Sequence, residues 1–369
     1  MSKSEILDDL SEIKKIDKSN MLSFCVDFAK HCEEAVKLAK NVNLSYPKPE
    51  AIIVAGMGGS AISGELLKDW AREKVAVPIE VCREYSLPAY ANRRTLVFVI
   101  SYSGETEESL SVYLDAIKKK CMTVCLSSGG TLQKFAEKME VPNLTVPSGI
   151  APRAALPYLF VPLPIFLGKF NLVSGVNSEI SEALNLLKVV CAANVPDKPL
   201  KENFSKKLAL DIYGTVPVIY GFGIYRAVAQ RLKQQFNENS KILSKWESFP
   251  EINHNEIVGW ESAEEFARLF SVIFLRDASE PEAIRERIVV TQELISKAFV
   301  KTFEIHGIGK GVLARMLSAV CMGDFVSVYL AILRGLDPTP VKTIALLKDR
   351  MKRVGVREKV ISELQKLVK

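Results

Sequence analysis

Histidine is almost missing from this sequence: its 369 residues include three, His31, His254 and His306. A metal centre built on imidazoles needs more than that, set at ligand spacing with carboxylates or thiolates. His254 and Glu256 stand close together but are too few ligands, so no metal is expected. The 7 cysteines are scattered and form no CxxC pair, which removes the thiolate signatures too. Cys121 and Cys125, the nearest two, fall in the apolar stretch CMTVCL and read as core thiols of a protein kept in a reducing compartment. No block of five or more like charges occurs, and a net charge of +6 is mild for this length. A nucleic-acid face is therefore not expected. No uninterrupted apolar run reaches the ~18 to 20 residues that span a bilayer. The opening MSKSEILDDLSEIKK is charged throughout and lacks the apolar core of a signal peptide. These absences lead us to expect a cytoplasmic globular protein with neither nucleic acid nor membrane as a partner.

What is present suffices for two domains, each with its own core: 48% of the residues are hydrophobic and 25% charged. Residues 1–45 read as a helical segment, because Met21, Phe24, Phe28, Cys32, Ala35 and Leu38 recur at three- and four-residue spacing. SYPKPE breaks that pattern. Beyond it AIIVAG, PIEVCREY, TLVFVIS, MTVCLSS and NLTVPS read as strands, with SAISGELLKDWAREK, ESLSVYLDAIKKK and TLQKFAEKM as helices among them. Near-continuous apolar strands set among amphipathic helices predict a parallel sheet covered on both faces. Helices are expected again from about residue 153 to 167 and from about 179 to 193.

The pattern then restarts. VPVIYGFGIYRAVAQRLKQQF repeats AIIVAGMGGSAISGELLKDW as strand, G-x-G turn and helix, and LFSVIFLRD answers TLVFVIS. ISKAFVKTFEIHG supplies a further strand and GVLARMLSAVCMGDFVSVYLAIL a long buried helix. Two copies of one α/β unit, 46–192 and 193–369, joined near CAANVPDKPL, account for this. The copies are unequal, since only the first carries a hydroxyl-rich turn. One composite site is expected rather than two equivalent ones.

That turn is SYSGETEE, residues 101–108, at the mouth of the TLVFVI strand. Its partner is GMGGS, which follows AIIVA. GMGGSA also fits the dinucleotide fingerprint G-x-G-x-x-A, with Glu84 available as the acidic residue of an NAD site. GSAISGEL does not fit a nucleotide phosphate loop, because Glu65 occupies the place of the lysine. In an open parallel sheet ligands bind beyond the carboxyl ends of the strands, where helix N-termini converge. Both turns lie at such ends. Glycines 58 and 59 let amide groups approach an anion, and Ser60, Ser101, Ser103 and Thr106 can donate hydroxyl hydrogen bonds. Neither turn holds a lysine or arginine, so dipoles and amides are expected to meet the charge. Glu105, Glu107 and Glu108 suit the first turn of a helix and are expected to point outward.

GMGGSAISGEL together with SYSGETEE resembles the sugar isomerase (SIS) domain, a flavodoxin-like αβα sandwich that binds phosphosugars. APRAALPYL, NENSK, EINHNEIVGW and GLDPTPVKTIALLK resemble, in order and spacing from about residue 20 to about 350, the bifunctional phosphoglucose/phosphomannose isomerases of archaea and some bacteria. The implied fold is α/β: two SIS-type αβα sandwich subdomains with parallel flavodoxin-like sheets, plus N-terminal and C-terminal helices. The implied reaction is reversible isomerisation of glucose 6-phosphate and mannose 6-phosphate with fructose 6-phosphate through a cis-enediol, with no cofactor. A phosphosugar-sensing regulator, another SIS-type sugar-phosphate isomerase and an NAD-dependent enzyme remain the alternatives.

The resemblance also implies roles for four residues. Glu238 of FNENSK, otherwise a solvated loop glutamate, stands where the family has its catalytic base. His254 of NHNE would help open the sugar ring, reaching the site from the partner subunit of a homodimer. Arg153, flanked by apolar residues, would stabilise the enediolate. Lys348 of IALLK would assist at the ring oxygen, with Lys342, Arg350 and Lys352 as alternatives in register. His306 reads as a structural strand-end residue and His31 as a half-buried surface residue of the N-terminal helix. Beyond the family pattern, Val356, Val360, Leu364, Leu367 and Val368 predict a further amphipathic helix, docked on the body or on a dimer partner.

Overall fold

The computed structural model describes every residue except 1, 262–264, 299 and 369. Phe299 and Lys369, within segments read above as a strand and a helix, lie outside the described residues. Four short helices open the chain: α1 (Lys3–Asp8), α2 (Leu10–Ile16), α3 (Met21–Val26) and α4 (Phe28–Lys40). Aspartates break what the sequence suggests as one helical segment. Asp9 accepts hydrogen bonds from the amides of Ser11 and Glu12, and Asp17 accepts from those of Met21 and Leu22, so each starts a new helix.

The first repeat follows as β1 (Ala51–Ala55), α5 (Gly59–Ala71), β2 (Ile79–Cys82), β3 (Thr95–Ile100), α6 (Glu107–Lys118), β4 (Met122–Ser127), α7 (Gly130–Lys138) and β5 (Asn143–Thr145). Three helices succeed it, α8 (Leu156–Phe160), α9 (Pro162–Lys169) and α10 (Val176–Asn194). The second repeat comprises α11 (Phe204–Asp211), β6 (Val216–Phe222), α12 (Arg226–Glu238), β7 (Lys245–Phe249), β8 (Phe270–Arg276), α13 (Glu282–Lys297), β9 (Lys301–His306) and α14 (Val312–Leu333). α15 (Lys342–Met351) and α16 (Val356–Val368) complete the described helices.

Both sheets are parallel, with strand orders β2-β1-β3-β4-β5 and β7-β6-β8-β9. The first is the flavodoxin-like order rather than that of the dinucleotide-binding fold. Every residue of β3 and β4 is buried, as expected of strands covered on both faces.

The chain divides into two compact units, and they do not follow the linear boundaries 1–45, 46–192 and 193–369. One comprises 30–177 and 341–369; the other comprises 1–29 and 178–340. In the first-sheet unit, Val97, Val99 and Cys125 share one core cluster with Leu110 and Tyr113 of α6, Phe135 of α7, and Val360 and Leu364 of α16. Phe98 stacks on Phe166 of α9. The terminal helix thus docks on the body, as its apolar stripe suggests, except that Leu367 and Val368 stay largely exposed.

In the second-sheet unit α14 is apolar on all sides, the pattern of a core helix. It is long and apolar enough to cross a membrane, although no uninterrupted apolar run reaches that length; its most apolar stretch is entirely buried within the protein. Several of its polar groups are paired. Arg231 of α12 donates to Asp324 at 2.5 Å, the Asn239 amide donates to the Ser327 hydroxyl, and the Ser240 hydroxyl to the Ser327 carbonyl. Burial pushes the Asp324 carboxyl up, against the pull of Arg231.

A buried ion pair is costly to halve and cheap to replace whole. Asp324→Asn is expected to cost about 3–5 kcal/mol in urea unfolding, whereas Arg231→Met with Asp324→Leu should recover most of that loss.

Candidate functional site

The first-sheet unit brings both sequence-selected turns to one place. β1 and β3 are neighbours, so their carboxyl ends form the point where strand order reverses. Gly56 fits between them: a Cβ there would stand 2.8 Å from the Ser60 Cβ and 2.9 Å from the Ile100 carbonyl oxygen. Gly58 precedes α5 at its N-cap and Thr106 does the same for α6. Two helix N-termini therefore open onto this edge, each a source of positive potential. Ser101 and Ser60 are buried and Ser103 is exposed. The Ser101 hydroxyl donates to the Thr106 hydroxyl at 3.0 Å, and the Glu105 amide donates to the Ser103 hydroxyl at 3.2 Å.

Arg153 joins this group through the backbone. A Cβ on Gly59 would come within 2.9 Å of the Pro152 carbonyl oxygen and 3.4 Å of the Arg153 Cα. Arg153 itself is 4% exposed. A guanidinium so deeply placed is held by its surroundings.

The acids of SYSGETEE are engaged by neighbours. Glu105 accepts from the Thr131 amide at 2.8 Å and the Thr131 hydroxyl at 3.0 Å, which places its charge at the N-terminus of α7. Arg357 of α16 donates to the same carboxylate through Nε at 2.9 Å and through Nη2. Glu107 accepts from the Tyr85 hydroxyl at 2.6 Å. Gly104 (φ +68°) lies so close to α7 that a Cβ would stand 1.9 Å from the Gly129 carbonyl oxygen.

Neither turn carries a basic side chain, but basic residues from elsewhere in the same unit stand beside SYSG. A cleft of about 550 Å³ is lined by Ser103, Thr106 and charges of both signs, Lys348, Lys352 and Arg357 with Glu105, Glu107, Glu108 and Glu358, and has Ile344, Leu347 and Met351 on its apolar side. Two ammonium groups from the α15 region thus stand beside a turn that has no basic residue of its own. Of the register alternatives, Lys348 and Lys352 line this cleft.

In the second-sheet unit the corresponding edge is filled. A Cβ on Gly307 would stand 1.9 Å from the Tyr225 hydroxyl oxygen. Arg315 pairs with Asp277 at 2.9 Å, and Arg276 with Glu280 at 3.0 Å and Glu304 at 2.8 Å. Burial pushes the Glu304 carboxyl up, but hydrogen bonds from Arg276, Gln292 and His306 outweigh it and hold it near about 2. His306, 2.8 Å from Glu304, belongs to this network. His31, in the first-sheet unit, packs against the Tyr158 ring at 5.5 Å.

Glu238 is the last residue of α12 and is half-buried. The helix macrodipole opposes a carboxylate at that end, so helix stability does not explain it. The end is clamped instead: Lys241, at φ +52°, donates through Nζ to the carbonyls of Glu238 at 2.9 Å, Asn239 at 3.1 Å, Asp337 at 2.9 Å and Pro338 at 2.5 Å. His254 ends a short 3-10 helix, Glu251–His254, and is exposed. Its loop is anchored on both sides. Glu256 accepts from the Tyr220 hydroxyl at 2.7 Å and pairs with Lys245 at 2.8 Å, while the Asn253 amide donates to the Thr291 hydroxyl of α13 at 2.9 Å. Among the described residues, no group of three or more His, Cys, Asp or Glu is arranged to hold a metal ion.

Residues 201–351 match the family model of the bacterial phospho-glucose isomerase C-terminal SIS domain. A bifunctional phosphoglucose/phosphomannose isomerase of Caldicellulosiruptor bescii is 39% identical over 325 residues, 87% of this chain and 96% of that one. The chain belongs to the bifunctional phosphoglucose/phosphomannose isomerase family. Another member, from Aquifex aeolicus, is 34% identical over 305 residues, 82% of this chain and 91% of its own. Among solved structures, a hypothetical protein of Thermus thermophilus matches 93% of each chain with a TM-score of 0.71 at 14% identity, a likeness of fold alone.

For a bifunctional phosphoglucose/phosphomannose isomerase family member, two side chains here escape sequence reasoning. Lys241 carries a faint local signal, a basic residue just past a helix end. Arg357 carries none, because its partner lies 252 positions away. Gly104→Ala must move the SYSG turn, since both φ and the Gly129 backbone forbid a Cβ. It is expected to weaken hexose 6-phosphate binding about 10-fold or more by isothermal titration calorimetry, with the circular dichroism spectrum unchanged.

Proposed function

We propose that the chain interconverts glucose 6-phosphate and mannose 6-phosphate with fructose 6-phosphate through a cis-enediol. The observation that carries this reading is the meeting of GMGGS, SYSG and Arg153 at the reversal point of the first sheet. The phosphate is held by the amides around Gly58 and Gly59 and by Ser60, Ser101, Ser103 and Thr106. Lys348 lines the same cleft as Ser103 and Thr106. In a hexose 6-phosphate the ring oxygen sits on C5, next to the phosphate-bearing C6, so an ammonium near the phosphate can also reach that oxygen. Lys348 and His254 open the ring by moving the proton between O1 and O5. Glu238 then takes the proton from C2 and returns it to C1, while Arg153 stabilises the enediolate. Both C2 configurations collapse to one planar enediol, and a single base serves both aldoses if rotation about C2–C3 turns each C2–H toward Glu238.

His254 is assigned to a neighbouring copy in a homodimer. Val258, Phe266 and Leu269 are each at least half exposed, as is fitting for a surface covered by a second copy. The phosphorylated substrate and the reducing-compartment cysteines agree with a cytoplasmic location.

A coupled assay with EDTA present should show turnover of both aldose phosphates; turnover of neither rejects the reading. Glu238→Gln should lose about 10²–10⁴ in kcat while fructose 6-phosphate binding stays within a few-fold. Complementation tests the shared site. Inactive Glu238→Gln and His254→Gln chains, refolded together, should regain about a quarter of the native activity if the histidine crosses the interface. No recovery would place His254 in its own chain's site.

A further inference from the structure

We propose that Arg357 is a positioning residue of the phosphate turn: it holds the Glu105 carboxylate against α7 and neutralises it toward a bound phosphate. This rests on reading SYSGETEE as the phosphate grip. Arg357 lies past residue 351, where the family-model match ends, so the role belongs to the chain's own C-terminal segment.

The turn presents a charge problem. Glu105 stands between Ser103 and Thr106 in sequence and lines the same cleft. A sugar phosphate near pH 7 is close to a dianion, and like charges a few ångströms apart repel even in a partly solvated site. Glu107 is drawn off by Tyr85. Glu105 is drawn off by Thr131 and by the Arg357 guanidinium, which also donates to the Thr131 hydroxyl at 3.2 Å. The three groups therefore form one cluster, with Glu358, a further cleft carboxylate, 3.8 Å from Arg357 Nη1.

Stability does not account for this pair. The Arg357 and Glu105 side chains are 37% and 38% exposed, and ion pairs so open to water contribute little to folding. Geometry accounts for the placement of the arginine. Arg357, Val360 and Leu364 stand at i, i+3 and i+7, on one face of α16. Val360 and Leu364 are buried in the first-sheet core, so docking of α16 fixes where the guanidinium falls.

The test uses the full chain and four variants, with fructose 6-phosphate as substrate and inorganic phosphate as competitive inhibitor. Arg357→Met should raise the fructose 6-phosphate KM and the phosphate Ki together, about 10-fold. Its kcat should stay within about twofold and its melting temperature within a few degrees. Arg357→Lys keeps the charge and should stay within about threefold of the native KM. Adding Glu105→Gln to Arg357→Met should return KM toward the native value, since the uncompensated carboxylate is then gone. An unchanged KM in Arg357→Met, or a raised KM that Glu105→Gln fails to relieve, overturns the proposal. Thr106→Val separates it from the underlying reading. If Thr106→Val leaves KM and Ki unchanged, the turn is not the phosphate grip; if it raises both while Arg357→Met does not, only the role of Arg357 falls.

Discussion

The approach of two strand ends, β1 and β3, is the constraint on which the rest of the site depends. Parallel strands send all their carboxyl ends to one edge, and the following helices begin there. Edge geometry alone leaves the two turns separate. They become one feature because Gly56 brings the Ser60 backbone against the Ile100 carbonyl, and Gly59 brings that same turn onto Pro152 and Arg153. Missing side chains, rather than added ones, make the concavity. The hydroxyls of Ser60, Ser101, Ser103 and Thr106 stand on the same two turns.

The duplicated fold shows how differently one edge can be used. In the second sheet the Tyr225 ring and the ion pairs of Arg276, Asp277, Glu280 and Arg315 occupy the corresponding place. Such a network pairs most of its charges with one another. In the first sheet Glu105 and Glu107 are hydrogen-bonded to Thr131, Arg357 and Tyr85 while still lining the cleft, which Lys348 and Lys352 also line. Divergence between the copies is thus a matter of where carboxylates find partners.

Much of this was legible in the chain. The uniform apolar content of TLVFVI and MTVCLS signals a strand buried on both faces, and both are buried throughout. The two turns and the restart of the pattern were legible for the same reason: strand, glycine and helix are set by neighbours in sequence. What stayed hidden depends on distance. Lys348 and Lys352 join Ser103 across more than two hundred residues, and no local pattern encodes that meeting. Residues 1–45 read as one helical segment, yet the division between the units falls within α4. Periodicity reveals a buried face without naming what covers it. The strand read from ISKAFVKTFEIHG begins only at Lys301, because its first residues complete α13; short apolar runs fit either period.

The docking of α16 has a consequence for how the protein is made. Synthesis proceeds from the N-terminus at roughly 5–20 residues per second, so β1 to β5 emerge well before the helix that covers part of their apolar face. Lys118 and Glu363, which pair between α6 and α16, are 245 positions apart. For the interval between them, roughly 12–50 seconds at that pace, Val360 and Leu364 are missing from the core they complete. The nascent first sheet must wait with an incomplete face, and its closure is a late, long-range event. The element that finishes the core also delivers Arg357 to the turn, so the ion pair with Glu105 forms only once that face is sealed.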